Sequence, residues 1–445
     1  EALAGEIEAR SATLLGMTIM PGPQLADALP ICRELRKRFP ALRIAWGGYF
    51  PTMHPAVVLA SGCVDYVIRG HNEATFAALV DRLAAGEEPG RLPGLVTPAD
   101  DAEALVRSTP AFVPNIDTLP DFPYHRVDIA RYFRRTFMGA RTISHHASYG
   151  CPFRCNFCAV VNMVDGRYSA QSAEHMAAVV TNLVQNHGAD SVEFHDNNFF
   201  VGESRIADFA ERIRDLGIGW WAYGRIDALD KFKDRTFEKL RDSGLKMVFM
   251  GAETGSDEML ERMNKGGKQS ADQTLRIAAR MRDYGIVPEM SFVLGNPPNP
   301  DDDVRQSLRF IRRLKSVNPD TEIILYLYSP VPLAGSLFDE ARASGFRFPE
   351  TIDEWADADW VDFAQHRNAD LPWLDPAVKR RVANFQKVLH ATYPTITDPR
   401  LTGFRRAALR ALGGWRYRIG FYSNPIELRV LQKLFPYQRP EVSGF

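Results

Sequence analysis

The stretch Tyr149-Gly150-Cys151-Pro152-Phe153-Arg154-Cys155-Asn156-Phe157-Cys158-Ala159-Val160 decides how the rest of the sequence is read. Three of the chain's five cysteines fall inside it, spaced C-x3-C-x2-C. Soft thiolates crowded this closely suit an iron–sulfur cluster or a zinc ion. A structural zinc site is normally closed by four protein ligands, and no second CxxC or HxxxH pair follows at a suitable spacing. Cys32 and Cys63 lie far upstream in a segment of different pattern and are poor candidates for a fourth position. Three thiolates on a cubane cluster leave one iron open to a substrate or cofactor. With five cysteines in 445 residues, the chain reads as a reduced cytosolic protein, not a disulfide scaffold.

Outward from this loop, residues 141–345 repeat strand then helix, as a partial or complete βα barrel does. Strands are expected at 143–148, 191–199, 220–227, 247–256, 289–297 and 323–330, with a helix over 174–187. The first strand runs straight into the cysteines, which puts them at a strand's carboxyl end, where barrel active sites lie. Upstream, residues 1–92 show a βαβ rhythm with strands at 12–18, 42–46 and 64–68 and a helix over 24–38. The second strand ends in Gly47-Gly48 and the third in Arg69-Gly70, loops that form a candidate ligand crevice. Residues 93–142 are rich in Pro and Asp and read as a linker; 346–445 read as a C-terminal extension, in part a lid or substrate wall. The expected fold is therefore α/β: a Rossmann-like domain, a partial (β/α)6 barrel and a mostly helical tail. The sequence opens at Glu1 as though inside a helix, so an N-terminal piece is expected to precede it.

Cys151-x3-Cys155-x-Phe157-Cys158, with an aromatic before the last cysteine, resembles the signature of the radical S-adenosylmethionine (SAM) enzymes. The resemblance implies a 4Fe-4S cluster on Cys151, Cys155 and Cys158, with SAM on the open iron, cleaved by one electron to a 5'-deoxyadenosyl radical that abstracts hydrogen. It also implies a SAM site built from the strand tips. Phe157 stands beside the last cysteine, and Asp196 and Asn197, followed by Asn198, stand where the family contacts the methionine ammonium. Arg225 stands where an arginine faces the carboxylate, Glu253 and Thr254 near the ribose, and Leu294, Tyr328 and Ser329 around adenine. These tips offer acceptors, a cation and an apolar slot, the chemistry SAM needs. His145, His146 and His195 point to the same face without an assigned role.

The upstream loops resemble the cobalamin-binding domain that precedes many radical SAM modules. By that resemblance Thr18, Met20, Gly47, Gly48, Tyr49, Gly70 and His71 line the nucleotide tail and corrin edge; paired glycines allow close backbone approach to a bulky ligand. The D-x-H-x-x-G motif that supplies a lower histidine to cobalt is absent here. The family reading implies cobalamin-dependent methylation of an unactivated carbon; the alternatives are radical rearrangement or cyclisation without methyl transfer, and a zinc- or cluster-stabilised binding protein.

Lys plus Arg (54) nearly balances Asp plus Glu (55), so no global field argues for nucleic acid. No apolar run is long enough to span a bilayer. The expected partners are a small-molecule or lipid substrate and an electron donor such as flavodoxin or ferredoxin, in the cytoplasm. Residues 403–422 are basic, aromatic and amphipathic, which fits either peripheral contact with the inner face of an anionic membrane or a packed C-terminal helix.

Overall fold

The computed structural model describes residues 1–71, 73–101, 105, 108–265, 269–332, 335–365, 371–398, 401 and 403–434. The first sheet has three parallel strands, β1 (Leu14–Thr18), β2 (Arg43–Gly47) and β3 (Tyr66–Ile68), in chain order. Helix Pro23–Arg38 begins with proline in its first turn and ends in Arg36, Lys37 and Arg38, cations at the negative end of its dipole. Its Leu25, Leu29, Cys32 and Leu35 are buried in one core with Ile44, Trp46 and Val67. Cys32 accepts a hydrogen bond from the Trp46 indole at 3.3 Å, and Cys63 is buried in the same core, so both are packing residues.

The segment read as a linker starts inside this domain. Leu95–Val96, β4, pairs antiparallel with β3, and Ala111 bridges to Gly70. Gly70 has φ 84°, and a Cβ there would meet the Ala111 backbone amide at 2.7 Å. Its glycine is thus demanded by the returning chain.

The second sheet begins with β5 (Thr142–His145). The strand expected over 143–148 stops early because the fully buried Asp196 accepts hydrogen bonds from the Ala147 N–H (3.2 Å) and the Ser148 hydroxyl, turning the chain aside. Ser148–Gly150, β6, then pairs antiparallel with Tyr168–Ala170, β7, and this ribbon frames the cysteines. The remaining strands are β8 (Ser191–Phe194), β9 (Gly219–Gly224), β10 (Leu245–Glu253), β11 (Val287–Leu294) and β12 (Glu322–Leu327). They join β5 in one parallel six-stranded sheet, ordered along the chain, each three to five residues shorter at its far end than expected because the polar tips are loops.

Alternate residues of each strand face the covering helices. Val192, Phe194, Trp220, Ala222, Val248, Met250, Met290, Phe292, Ile323 and Leu325 share one core with helices such as Ala173–Gln185 and Pro300–Val317. Fully burying side chains of this size is worth about 1.5–3 kcal/mol each. Among the described residues no helix is long and apolar enough to cross a membrane.

The C-terminal region does two things. An aromatic string, Phe346, Phe348, Trp355, Trp360 and Phe363, joins the two domains: Trp355 packs 5.4 Å from Phe50 of the first, and Phe346 clusters with Tyr328 and Met259 of the second. Arg33 and Asp353 clasp the same junction through two bonds of 2.6 and 2.8 Å. Helix Gly403–Ile419 packs on helix Pro376–Thr392, where a Cβ on Gly413 would meet Ala391 at 2.7 Å. The basic segment is thus a packed helix, yet Phe404, Trp415 and Ile419 on its outer side are exposed.

Candidate active site

The cysteine loop is pinned at several points. The Cys151 N–H donates to the Arg167 carbonyl at 3.1 Å, the Asn156 N–H to Met263 at 3.1 Å, and Asn264 Nδ2 to the Arg154 carbonyl at 2.8 Å. Cys155 is buried; Cys151 and Cys158 are half-buried. Arg225 Nη1 lies 3.2 Å from Cys155 Sγ and Asn198 Nδ2 lies 3.9 Å from Cys151 Sγ. Burial pushes the Cys158 thiol up to about 11, with the other two cysteines close enough to add to the shift. Metal ligation must displace such protons.

Among the described residues, no three Cys, His, Asp or Glu side chains close round a point that would hold a single ion. The three cysteines are close enough for Cys151 and Cys155 to act on the Cys158 thiol, the crowding that a 4Fe-4S cluster held by three thiolates needs. The buried Asn198 Oδ1 has no hydrogen-bond partner among the described residues, a group free to meet a ligand.

The strand tips gather round this loop. Arg225, after β9, is buried; its Nε lies 3.0 Å from Asp227, its Nη2 donates to the Lys265 carbonyl at 3.0 Å, and its guanidinium covers the Phe153 ring at 3.8 Å. Glu253, ending β10, forms a buried ion pair with Lys265, whose ammonium lies 5.6 Å from the Phe157 ring. Glu253 holds φ 65°, a left-handed conformation that costs about 1–2 kcal/mol outside glycine. Thr254 is turned away from the opening: its hydroxyl donates to Asp303 at 3.1 Å and pairs with Ser307. Asp303 also accepts from the Gly295 and Asn296 amides at 2.8 and 3.1 Å, tying the tips of β10 and β11 together.

Several expected SAM contacts are placed differently from the sequence reading. Asp196 is consumed by β6, and burial pushes its carboxyl up to about 6; buried Asn198 faces the loop instead, and Asn197 is exposed. The Leu294 side chain is buried on the helix side, which leaves Val293 beside Phe157 and Tyr328. Tyr328 is buried with its hydroxyl unpartnered among the described residues, and Ser329 is half-buried. Sequence reasoning missed Lys265 and Asp303. Lys265 carries no motif, and Asp303 sits in an acidic first turn, Asp301-Asp302-Asp303, that reads as ordinary dipole compensation.

The carboxyl ends of the first sheet face the same loop. Thr18 and Met20 are exposed at the end of β1, beside Gly47 at the end of β2. Gly48 has φ 93°, and a Cβ there would meet Thr18 Cγ2 at 2.8 Å. Tyr49, half-buried, has its hydroxyl raised by burial and by nearby Cys158. His71 stacks on Tyr149 with centroids 4.4 Å apart and planes 6° from parallel, and its buried Nδ1 has no partner among the described residues. The Tyr149 hydroxyl donates to Glu73 at 2.9 Å.

Two family models match the chain: the B12 binding domain over residues 1–80 and the radical SAM superfamily over residues 146–311. The chain carries a B12 binding domain followed by a radical SAM domain. It is 26% identical over 293 residues to an uncharacterized methyltransferase of Pyrococcus horikoshii, covering 65% of this chain and 61% of that one. It is 27% identical over 305 residues to the anaerobic magnesium-protoporphyrin IX monomethyl ester cyclase of Synechocystis, covering 67% and 58%. The chain thus spans about three fifths of the length of these curated relatives. In fold it is similar to the radical SAM methyltransferase TsrM of Kitasatospora setae solved with tryptophan and a SAM analogue, with TM-score 0.62, 16% identity, and 97% and 90% of the two chains covered. The cofactors of such an enzyme are a 4Fe-4S cluster, SAM and cobalamin.

Proposed function

We propose that this enzyme reductively cleaves SAM to a 5'-deoxyadenosyl radical and methylates an unactivated carbon of a small-molecule or lipid substrate. The observation that carries the reading is the facing of two loop sets: His71, from the first sheet, stacks on Tyr149 of the cysteine loop, and Tyr49 lies near enough to Cys158 to feel its charge. When bound, the cluster supplies an electron and cobalamin a methyl group.

The chain's own share is positioning and exclusion of water. Cys151, Cys155 and Cys158 would hold the cluster, with Arg225 and Asn198 donating N–H toward sulfur. Arg225 and the Glu253–Lys265 pair would orient the polar end of SAM, with Asn197 at the rim. Phe157, Val293 and Tyr328 would flank adenine, with Thr254, Leu294 and Ser329 contributing through backbone or framework. Residues 1–92 would hold the corrinoid at Thr18, Met20, Gly47, Gly48 and Tyr49; 143–345 would form the radical SAM barrel, and 346–445 the cover. A small electron-transfer protein such as flavodoxin or ferredoxin would deliver the electron. The exposed outer side of helix Gly403–Ile419 supports peripheral contact with an anionic membrane.

The test is anaerobic turnover with methyl-labelled SAM. Production of 5'-deoxyadenosine with label in product supports the proposal. Cleavage without label transfer favours the second reading, rearrangement or cyclisation, for which the similarity to a cyclase speaks. No cleavage in reduced, cluster-loaded protein removes both.

A further inference from the structure

The lumen of the second sheet is unlike the interior of a packed barrel. Such interiors are filled by layers of branched aliphatic side chains. Here the inward positions of β8 to β12 carry Glu193, Trp221, Tyr223, Phe249, Glu289 and Tyr326. The outward positions of the same strands are almost wholly buried, whereas Tyr223, Phe249, Val293 and Tyr326 stay half-exposed. The lumen is therefore an open chamber, and it lies directly beneath the tips that carry Arg225 and Glu253.

One wall of it is aromatic. Trp221 and Tyr223 meet edge to face with centroids 4.6 Å apart, and Tyr223 and Phe249 lie 4.9 Å apart. Phe249 is paired in register with Tyr223 on one side and Glu289 on the other. The Tyr223 hydroxyl has no hydrogen bond to a described residue.

The charges in and around the chamber are matched except for one. Arg225 has Asp227, Lys265 has Glu253, and Glu193 has Arg134 and, at 3.3 Å, His195. Glu322 is held by the Ile396 N–H at 2.8 Å and the Thr395 hydroxyl and feels Lys315. Glu289 is 94% buried by its 6% exposure, its carboxyl accepts from the Trp221 indole at 3.1 Å, and no described cation pairs with it. The charged groups that face it, Glu322 and Glu193, have its own sign, and with burial they push its carboxyl up to about 8. A buried acid without a cation beside aromatic faces is an unfinished ion pair: a ligand ammonium would complete it and gain a cation–π contact.

We infer that this lumen is the substrate chamber and that it takes a substrate bearing a protonated amine, seated between the Glu289 carboxylate and the Trp221–Tyr223–Phe249 wall. Glu289 and Tyr223 are then specificity-determining residues. On binding, the neutral Glu289 acid loses its proton to solvent as the ammonium arrives. The inference rests on the proposed radical SAM reading only for what the chamber is used for; the binding step is separate from it.

The test is calorimetry on the cluster- and cobalamin-loaded protein with three probes of one shape: 2-phenylethylammonium, 2-phenylethanol and 3-phenylpropionate. The ammonium should bind at least ten-fold tighter than the alcohol, the carboxylate weakest, with about one proton released per ammonium bound when two buffers of different ionisation enthalpy are compared at pH 7. Glu289→Gln keeps an acceptor for Trp221, so its melting should hold while the preference for the ammonium and the proton release vanish. Tyr223→Leu, which removes one aromatic face of the wall, should lower affinity for all three, the ammonium most. Equal binding of alcohol and ammonium, no binding of either, or an unchanged preference in Glu289→Gln would overturn the inference. The Cys155→Ala protein separates the two claims: it should lose SAM cleavage yet keep the ammonium preference.

Discussion

Lys265→Met is the most incisive perturbation of the SAM-facing tips. Lys265 and Glu253 are 7% and 5% exposed as side chains and form one ion pair. Removing one partner of a buried pair leaves an uncompensated charge and costs about 3–5 kcal/mol. At about 2–4 °C per kcal/mol for a domain of this size, the melting midpoint of the second domain should fall by roughly 10 °C. Neutralising both residues, Glu253→Gln with Lys265→Met, removes the stranded charge and should restore most of that loss, leaving about 1–2 kcal/mol. Glu253→Gln alone strands Lys265 in the same way, so the singles sum to about 6–10 kcal/mol against about 1–2 for the double, and the two substitutions should couple by about 5–8 kcal/mol in a double-mutant cycle. SAM affinity, read by equilibrium dialysis, should fall in the single and the double variant alike, because both lose the pair that orients the ligand. Thermal melts of the four proteins give the cycle. A Lys265→Met protein that melts within a degree or two of the parent, or strictly additive losses, would refute the idea that Lys265 neutralises a buried Glu253.

Other expectations follow from single contacts. Gly251→Ala should mimic Lys265→Met, since a Cβ there would run into both members of the pair; an unchanged SAM affinity would speak against it. Gly48→Val should release corrinoid, measured by its visible absorbance after gel filtration, because Gly48 has φ 93° and abuts Thr18; full retention would contradict the crevice. His54, packed 4.6 Å from Trp355, has its pKa lowered by burial from 6.5 to about 4. The unfolded chain then binds the proton that the folded one refuses, so stability is full above pH 6.5 and falls by up to about 3 kcal/mol as pH drops toward 4. His54→Phe should flatten that acid limb in Trp355 fluorescence melts, and an identical limb would discard the cause. Phe404→Glu with Trp415→Glu should abolish flotation with anionic liposomes; equal flotation of parent and variant would remove the membrane proposal.

The sequence carried the order of the elements because the cysteine spacing and the strand–helix alternation are local signals. β2 lies within a residue of where its apolar run places it. What stayed hidden was long-range. Asp196 cuts β5 short through bonds to Ala147 and Ser148, 49 and 48 residues away. Gly70 is glycine because Ala111 returns against it, and Leu294 and Val293, adjacent in sequence, face opposite sides by the period of a strand. Lys265 could not be read as a site residue because a lone lysine after a short helix is ordinarily solvated, and only the folded chain buries it beside Glu253. The inward row Trp221, Tyr223, Phe249 and Glu289 was visible as residues but not as a chamber, since its openness depends on all the strands together.

The central claim is that three thiolates hold an iron cluster with one corner left for SAM. Electron paramagnetic resonance and iron analysis of anaerobically reconstituted, reduced protein, with and without SAM, test it most directly. The account predicts about four irons per chain, a reduced-cluster signal that shifts on adding SAM, and loss of that signal in Cys151→Ala, Cys155→Ala and Cys158→Ala alike. Stoichiometric zinc with no iron, or a cluster signal indifferent to SAM, would contradict it.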